Sequence, residues 1–146
     1  MPLRDLDLVA AAVPRTATLA EAAAALFAAS VPALAVLDDE GRVVGIFSEA
    51  DLLRAVFPGY LHELRQTAFL PDDAAALAAR ARAVRDRPVG EFARPIEPLQ
   101  AGESQMHAAE RFLHSGEQAL PVVEDGRFRG MLSVAALCHA RLAAGG

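Results

Sequence analysis

The stretch Gly45-Ile46-Phe47-Ser48-Glu49-Ala50-Asp51 returns, altered, as Gly130-Met131-Leu132-Ser133-Val134-Ala135-Ala136. In the first copy Val43 to Phe47 is short, apolar and β-branched. It follows the turn Asp38-Asp39-Glu40-Gly41, so it reads as the second arm of a hairpin whose first arm is Leu34-Ala35-Val36-Leu37. Ser48 then stands where a helix should begin, with Glu49 and Asp51 in the first turn and Leu52, Leu53 and Val56 beyond. Gly45 has no Cβ, which lets another backbone or a flat ligand approach the strand.

The junction sets a hydroxyl and a carboxylate three residues apart beside unpaired N–H groups. Two readings of it stand side by side. Ser48 and Asp51 serve only the helix, as cap and as complement to its dipole; or they hold a polyhydroxylated ligand, the carboxylate accepting from a vicinal diol.

Working outward, the two copies belong to longer units. Thr18 with Glu21 three residues on is a reciprocal capping box, and it predicts a helix from Leu19 to about Ala29 with Ala22, Ala23, Leu26 and Phe27 as its apolar stripe. Ser30-Val31-Pro32 ends it. The second unit overlays the first: Ser104 falls on Thr18, Phe112 on Leu26, Gly116 on Ser30 and Leu120 on Leu34. One residue is lost in the turn, and Gly130 then falls on Gly45. Agreement through helices, strands and turn marks an internal repeat of helix, strand, strand, helix. Residues 3–11, ahead of the first unit, have a helical pattern that runs out at Pro14, and Pro88 to Phe92 opens the second unit in the same way.

Between the units, residues 57–87 exceed an ordinary connection. Tyr60 to Leu70 offers apolar residues at helical spacing, and a further helix is expected from Ala74 to about Val84. The arginines 80, 82, 85 and 87 there read as a solvated helix end, with a docking patch for an anionic partner as the alternative. The expected division is a first repeat over 1–56, a helical insert over 57–87 and a second repeat over 88–146.

Composition narrows the function classes. With 146 residues the chain can bury a real core, one compact domain or two halves sharing one. The net charge of −5 disfavours nucleic acid and anionic membranes as main partners. All 14 basic residues are arginine, which removes Schiff-base chemistry and a Walker-type lysine. Cys138, the single cysteine, permits no internal disulfide and is expected as a small core hydrophobe. His62, His107, His114 and His139 lack metal spacing, and no nucleophile has a convincing base, so an enzyme is not expected. The longest apolar stretch, 19–37, is broken by Glu21, Ser30 and Pro32, so no membrane span is expected. Met1 to Asp7 lacks the order of a signal peptide, and a cytoplasmic location follows as the default.

Carried by the doubled order of elements, by Leu120-Pro121-Val122-Val123-Glu124-Asp125-Gly126-Arg127, and by the glycine, two hydrophobics, Ser48 and Asp51, the chain resembles a tandem pair of cystathionine β-synthase (CBS) domains, a Bateman module. The resemblance implies an α/β fold: two repeats about a pseudo-twofold axis, small sheets flanked by helices, and a helical insert. It implies a regulatory module that binds an adenosine-containing ligand (AMP, adenosine, S-adenosylmethionine or ATP), requires no cofactor and acts on an unidentified protein target. A homodimer is implied as well, and the alanine-rich first helix is expected to help form its interface. Ser48 would meet phosphate or ribose, Asp51 the ribose hydroxyls, and Leu34, Ala35 and Ile46 the adenine.

Two departures bear on the ligand. Ala136 replaces Asp51 in the second repeat, so a weaker cleft is expected at Ser133, with Thr16 assigned to it. Ala33 and Ala119 stand where basic residues often precede the first hairpin strand, leaving Arg15 or Arg127 to meet a phosphate and favouring a ligand of little negative charge. The alternative function is a ligand-free dimeric scaffold that has lost nucleotide binding.

Overall fold

A computed structural model describes residues 2–57 and 74–144. The order is β1 (Ala12–Pro14), α1 (Leu19–Ala28), β2 (Ala33–Leu37), β3 (Val43–Ser48), α2 (Glu49–Val56), α3 (Ala74–Val84), β4 (Leu99–Gln100), α4 (Gln105–Ser115), β5 (Ala119–Glu124), β6 (Arg127–Ser133) and α5 (Val134–Ala144). Each repeat makes a three-stranded sheet, β1-β2-β3 and β4-β5-β6, in which a short parallel strand joins an antiparallel hairpin.

Local chemistry sets most boundaries. The Thr18 hydroxyl accepts from Glu21 N at 3.1 Å while the Glu21 carboxylate accepts from Thr18 N at 2.9 Å, the reciprocal cap expected from sequence. Ser104 caps α4 in the same way, accepting from His107 N at 3.1 Å. Gly116, at φ +73°, ends α4 in the left-handed conformation that a side chain resists. Helix α3 spans Ala74–Val84 as expected; the pattern read over Tyr60 to Leu70 lies outside the described residues.

The openings of the units depart from expectation. Residues 3–11 form no helix beyond a 3-10 turn at Leu3–Asp5; the chain then runs extended into β1. Tertiary pairing overrides the local pattern there: Val9 exchanges backbone hydrogen bonds with Met131, and Ala35 N donates to Ala11 O. Strands of two and three residues carry too little alternation to be read from sequence. The other half of the pseudo-symmetric arrangement is Arg94, which exchanges backbone bonds with Ile46 at 2.8 and 2.9 Å.

Each opening segment packs on the opposite repeat. Leu3 and Leu6 complete the core formed by Leu99, Ala108, Leu120 and Leu132, whereas Val84 and Val89 enter the core of Leu19, Ala22, Leu34 and Phe47. Equivalent hydrogen bonds hold both crossings, Leu3 N to Glu103 O on one side and Val89 N to Ala17 O on the other. Neither core closes without a segment from the other half.

Two apolar assignments are corrected. Phe27 is 95% exposed, because the buried face of α1 is carried by Leu19, Ala22 and Leu26. Cys138 is exposed; Leu137, one helix position away, takes the inward direction.

Candidate functional site

Ser48 ends β3 and caps α2, and the cap is reciprocal. The Ser48 hydroxyl accepts from Asp51 N at 3.2 Å, and Asp51 Oδ2 accepts from Ser48 N at 2.8 Å and Ser48 Oγ at 2.9 Å. Aspartate here performs the task usually given to Glu or Gln in a capping box. Only 4% of Asp51 is exposed, and no other polar or charged residue among those described is classed as buried.

A buried carboxylate needs partners. The other oxygen, Oδ1, accepts from Arg54 Nη2 at 2.6 Å and from Arg94 Nε at 2.7 Å. Arg94 also grips Glu117 with both terminal nitrogens, at 2.5 and 3.1 Å, a bidentate pair. One guanidinium thus ties a carboxylate of the first repeat to a carboxylate of the second. Arg94 is placed by its backbone pairing to Ile46, which brings its carbonyl so close to Gly45 that a Cβ there would lie 2.8 Å from it. The freedom expected at Gly45 therefore serves the approach of another backbone.

A cleft between the repeats of about 360 Å³ is lined by Pro32, Ala33, Ser48, Glu49, Ala50 and Arg54 on one side and Arg94 and Gly116 to Ala119 on the other, while Asp51 lies behind Ser48, Arg54 and Arg94 and is not part of the lining. Burial, the largest influence on Asp51, opposes its ionisation; donation from Arg94, Ser48 and Arg54 outweighs that and holds its pKa below the ordinary carboxylate value. Glu117 and Asp51 together raise the Arg94 pKa, so the guanidinium is permanently charged.

Several expected site residues lie elsewhere. Leu34, Ala35 and Ile46 are at most 1% exposed and belong to the core rather than the cleft wall, because the facing sheet and the Arg94 bridge cover them. Ser133 caps α5 by accepting from Ala136 N at 3.0 Å, without a carboxylate to reciprocate. Thr16 is not brought to it: the chain meets Met131 at Val9 and then runs away along β1 to the turn beyond Leu37. Arg15 and Arg127 are exposed and do not line the cleft; the positive charge comes from Arg54 and Arg94.

Sequence reasoning missed those two arginines and Glu117. Arg54 is three residues beyond Asp51, a spacing that places both on one helix face, so its signal was present. Arg94 and Glu117 depend on how the repeats dock, which no local pattern records.

The lowered Asp51 pKa makes the network acid-sensitive. Its stabilisation is fully present above the unfolded aspartate value of about 4 and is lost as pH falls through the lower folded value. Asp51→Asn is expected to lower Tm by roughly 3–10 °C at pH 7. Thermal melts from pH 7 to pH 2.5 should show that gap narrowing below about pH 4. Glu21 and Glu124, also held low, are common to both proteins and cancel in the comparison.

Comparison with known proteins agrees with this architecture. A CBS domain family model matches residues 4–58 and again 89–143. A search of curated proteins finds no relative. Among solved structures, a CBS domain-containing protein of Kribbella flavida aligns with a TM-score of 0.76 at 18% identity, over 97% of this chain and 99% of that one. The CBS domain of a CBS domain-containing membrane protein of Sphaerobacter thermophilus gives 0.72 at 23%, over 95% and 86%. CBSX2, solved in complex with AMP, gives 0.66 at 23%, over 100% and 94%. No helix among the described residues is long and apolar enough to cross a membrane. Matched by the family twice, on two sheets built alike and interlocked by their opening segments, the chain belongs to the CBS-domain family as a tandem pair.

Proposed function

We propose that this CBS pair is a regulatory module that binds an adenosine-type ligand in the first-repeat cleft and signals to a partner protein. The observation that carries the reading is a cleft of about 360 Å³ lined by Ser48, Arg54 and Arg94, with the Asp51 carboxylate held directly behind them by hydrogen bonds from all three side chains. That size falls in the range of small-molecule sites. Its chemistry suits a nucleoside: a carboxylate for a ribose diol, the hydroxyl and N–H groups of a helix start, and guanidinium groups for a phosphate. The second repeat offers Ala136 in place of Asp51, so one site per chain is the expectation. The AMP bound to the similar CBSX2 supports the class of ligand.

A second reading, a dimeric scaffold without ligand, is favoured by one observation: Asp51 is already satisfied by internal donors and has a structural task of its own. Calorimetric titration with AMP, adenosine, S-adenosylmethionine and ATP separates the two. Binding near one site per chain, abolished in a folded Asp51→Ala variant, is expected; no heat and no thermal stabilisation with any of them leaves the scaffold.

Both readings include a homodimer. The helices expose Phe27 (95%), Leu53 (58%), Met106 (81%), Leu113 (85%) and Leu142 (80%), apolar side chains that a second copy can cover. Sedimentation at micromolar concentration should give a dimer, and Phe27→Asp should shift it towards monomer; a wild-type monomer rules the dimer out.

A further inference from the structure

A carboxylate offers about four lone-pair positions, and in Asp51 four donors take them: Ser48 N, Ser48 Oγ, Arg54 and Arg94. A ligand hydroxyl reaches this group only by replacing one of them. They are not held equally. The two from Ser48 belong to the cap that starts α2. Arg94 is fixed by its backbone pairing to Ile46 and by both oxygens of Glu117, a side chain only 11% exposed. Among the described residues Arg54 is attached to Asp51 alone, by a single contact; its side chain is 47% exposed, and it lines the cleft from α2.

A guanidinium removed from a carboxylate keeps its charge, and a second anion restores the pairing that water replaces only in part. Taken with the proposed adenosine-type site, on which this inference rests, we infer that Arg54 is the exchangeable donor and the specificity-determining residue of the cleft. On binding, Arg54 leaves Asp51 for an anionic group of the ligand, and the vacated position on Oδ1 accepts a ligand hydroxyl. Arg94 remains on Glu117. The exchange conserves charge pairing only when one molecule carries both a diol and an anion. A neutral nucleoside breaks the same ion pair and returns nothing to Arg54. A chain of phosphates adds negative charge to a cleft whose lining also holds Glu117 and Glu49. The cleft therefore selects a monophosphate over the same nucleoside without phosphate.

The test is calorimetric titration of wild type, Arg54→Gln and Arg54→Lys with AMP and adenosine, which differ only in the phosphate. Wild type is expected to prefer AMP by at least about tenfold, the scale of one charged hydrogen bond. In Arg54→Gln the preference should collapse to within about threefold, through weaker AMP binding and equal or tighter adenosine binding, since the competitor for Asp51 is gone. Arg54→Lys should restore part of the preference. If AMP binds, requires Asp51 and keeps its preference in Arg54→Gln, this inference fails while the adenosine-type site stands. If neither compound binds wild type, this inference fails, and the adenosine-type site then stands or falls on the titrations with S-adenosylmethionine and ATP.

Discussion

Asp51 is a charge held out of water, and the arrangement around it depends on what that charge requires. An unpaired carboxylate at its depth is costly, so the fold supplies the cap donors of Ser48, the helix neighbour Arg54, and Arg94 from the segment that opens the second repeat. Arg94 can serve only because the opening segments cross. Its backbone lies against Ile46, Gly45 leaves room for the carbonyl, and the same side chain then reaches Glu117 beyond α4. Capping of one helix, docking of two repeats and the polarity of the cleft are in this way parts of one network.

The other half of the pseudo-symmetric pair shows the network as a unit. Where the first repeat has Asp51 and Arg54, the second has Ala136 and His139; where Arg94 bridges to Ile46, Val9 bridges to Met131; and the position of Glu117 in the first repeat is Val31, which is buried. The carboxylates and the arginines are absent together, while the cap itself survives at Ser133. Losing one member alone would strand a buried or half-buried charge, which costs more than replacing the whole set with apolar or small residues. The two halves therefore share a fold and differ in chemistry.

Much of the fold was legible in the sequence because its signals are local. Thr18 with Glu21, the glycine before Ser48, and the turns at Gly41 and Gly126 each fix backbone within a few residues, and their doubling exposes the repeat. The opening segments were not legible: Leu3, Leu6 and Leu8 have helical spacing, yet they are held mostly extended by contacts with residues more than ninety positions away. The site was legible to the same extent. Ser48 and Asp51 stood out through their spacing. Leu34, Ala35 and Ile46, chosen as apolar neighbours of that motif, are core residues because the facing sheet covers them. Arg94 and Glu117 join the cleft only through docking of the repeats.

The central claim is that the first-repeat cleft, and not its counterpart, is the working site. Backbone amide NMR during titration with AMP tests it most directly, because both clefts report in one spectrum. The account predicts saturable shifts concentrated at Ser48 to Asp51 and Gly116 to Ala119, with Ser133 to Ala136 unmoved. Shifts centred on Ser133 to Ala136, or no saturable shift in either region, would contradict it.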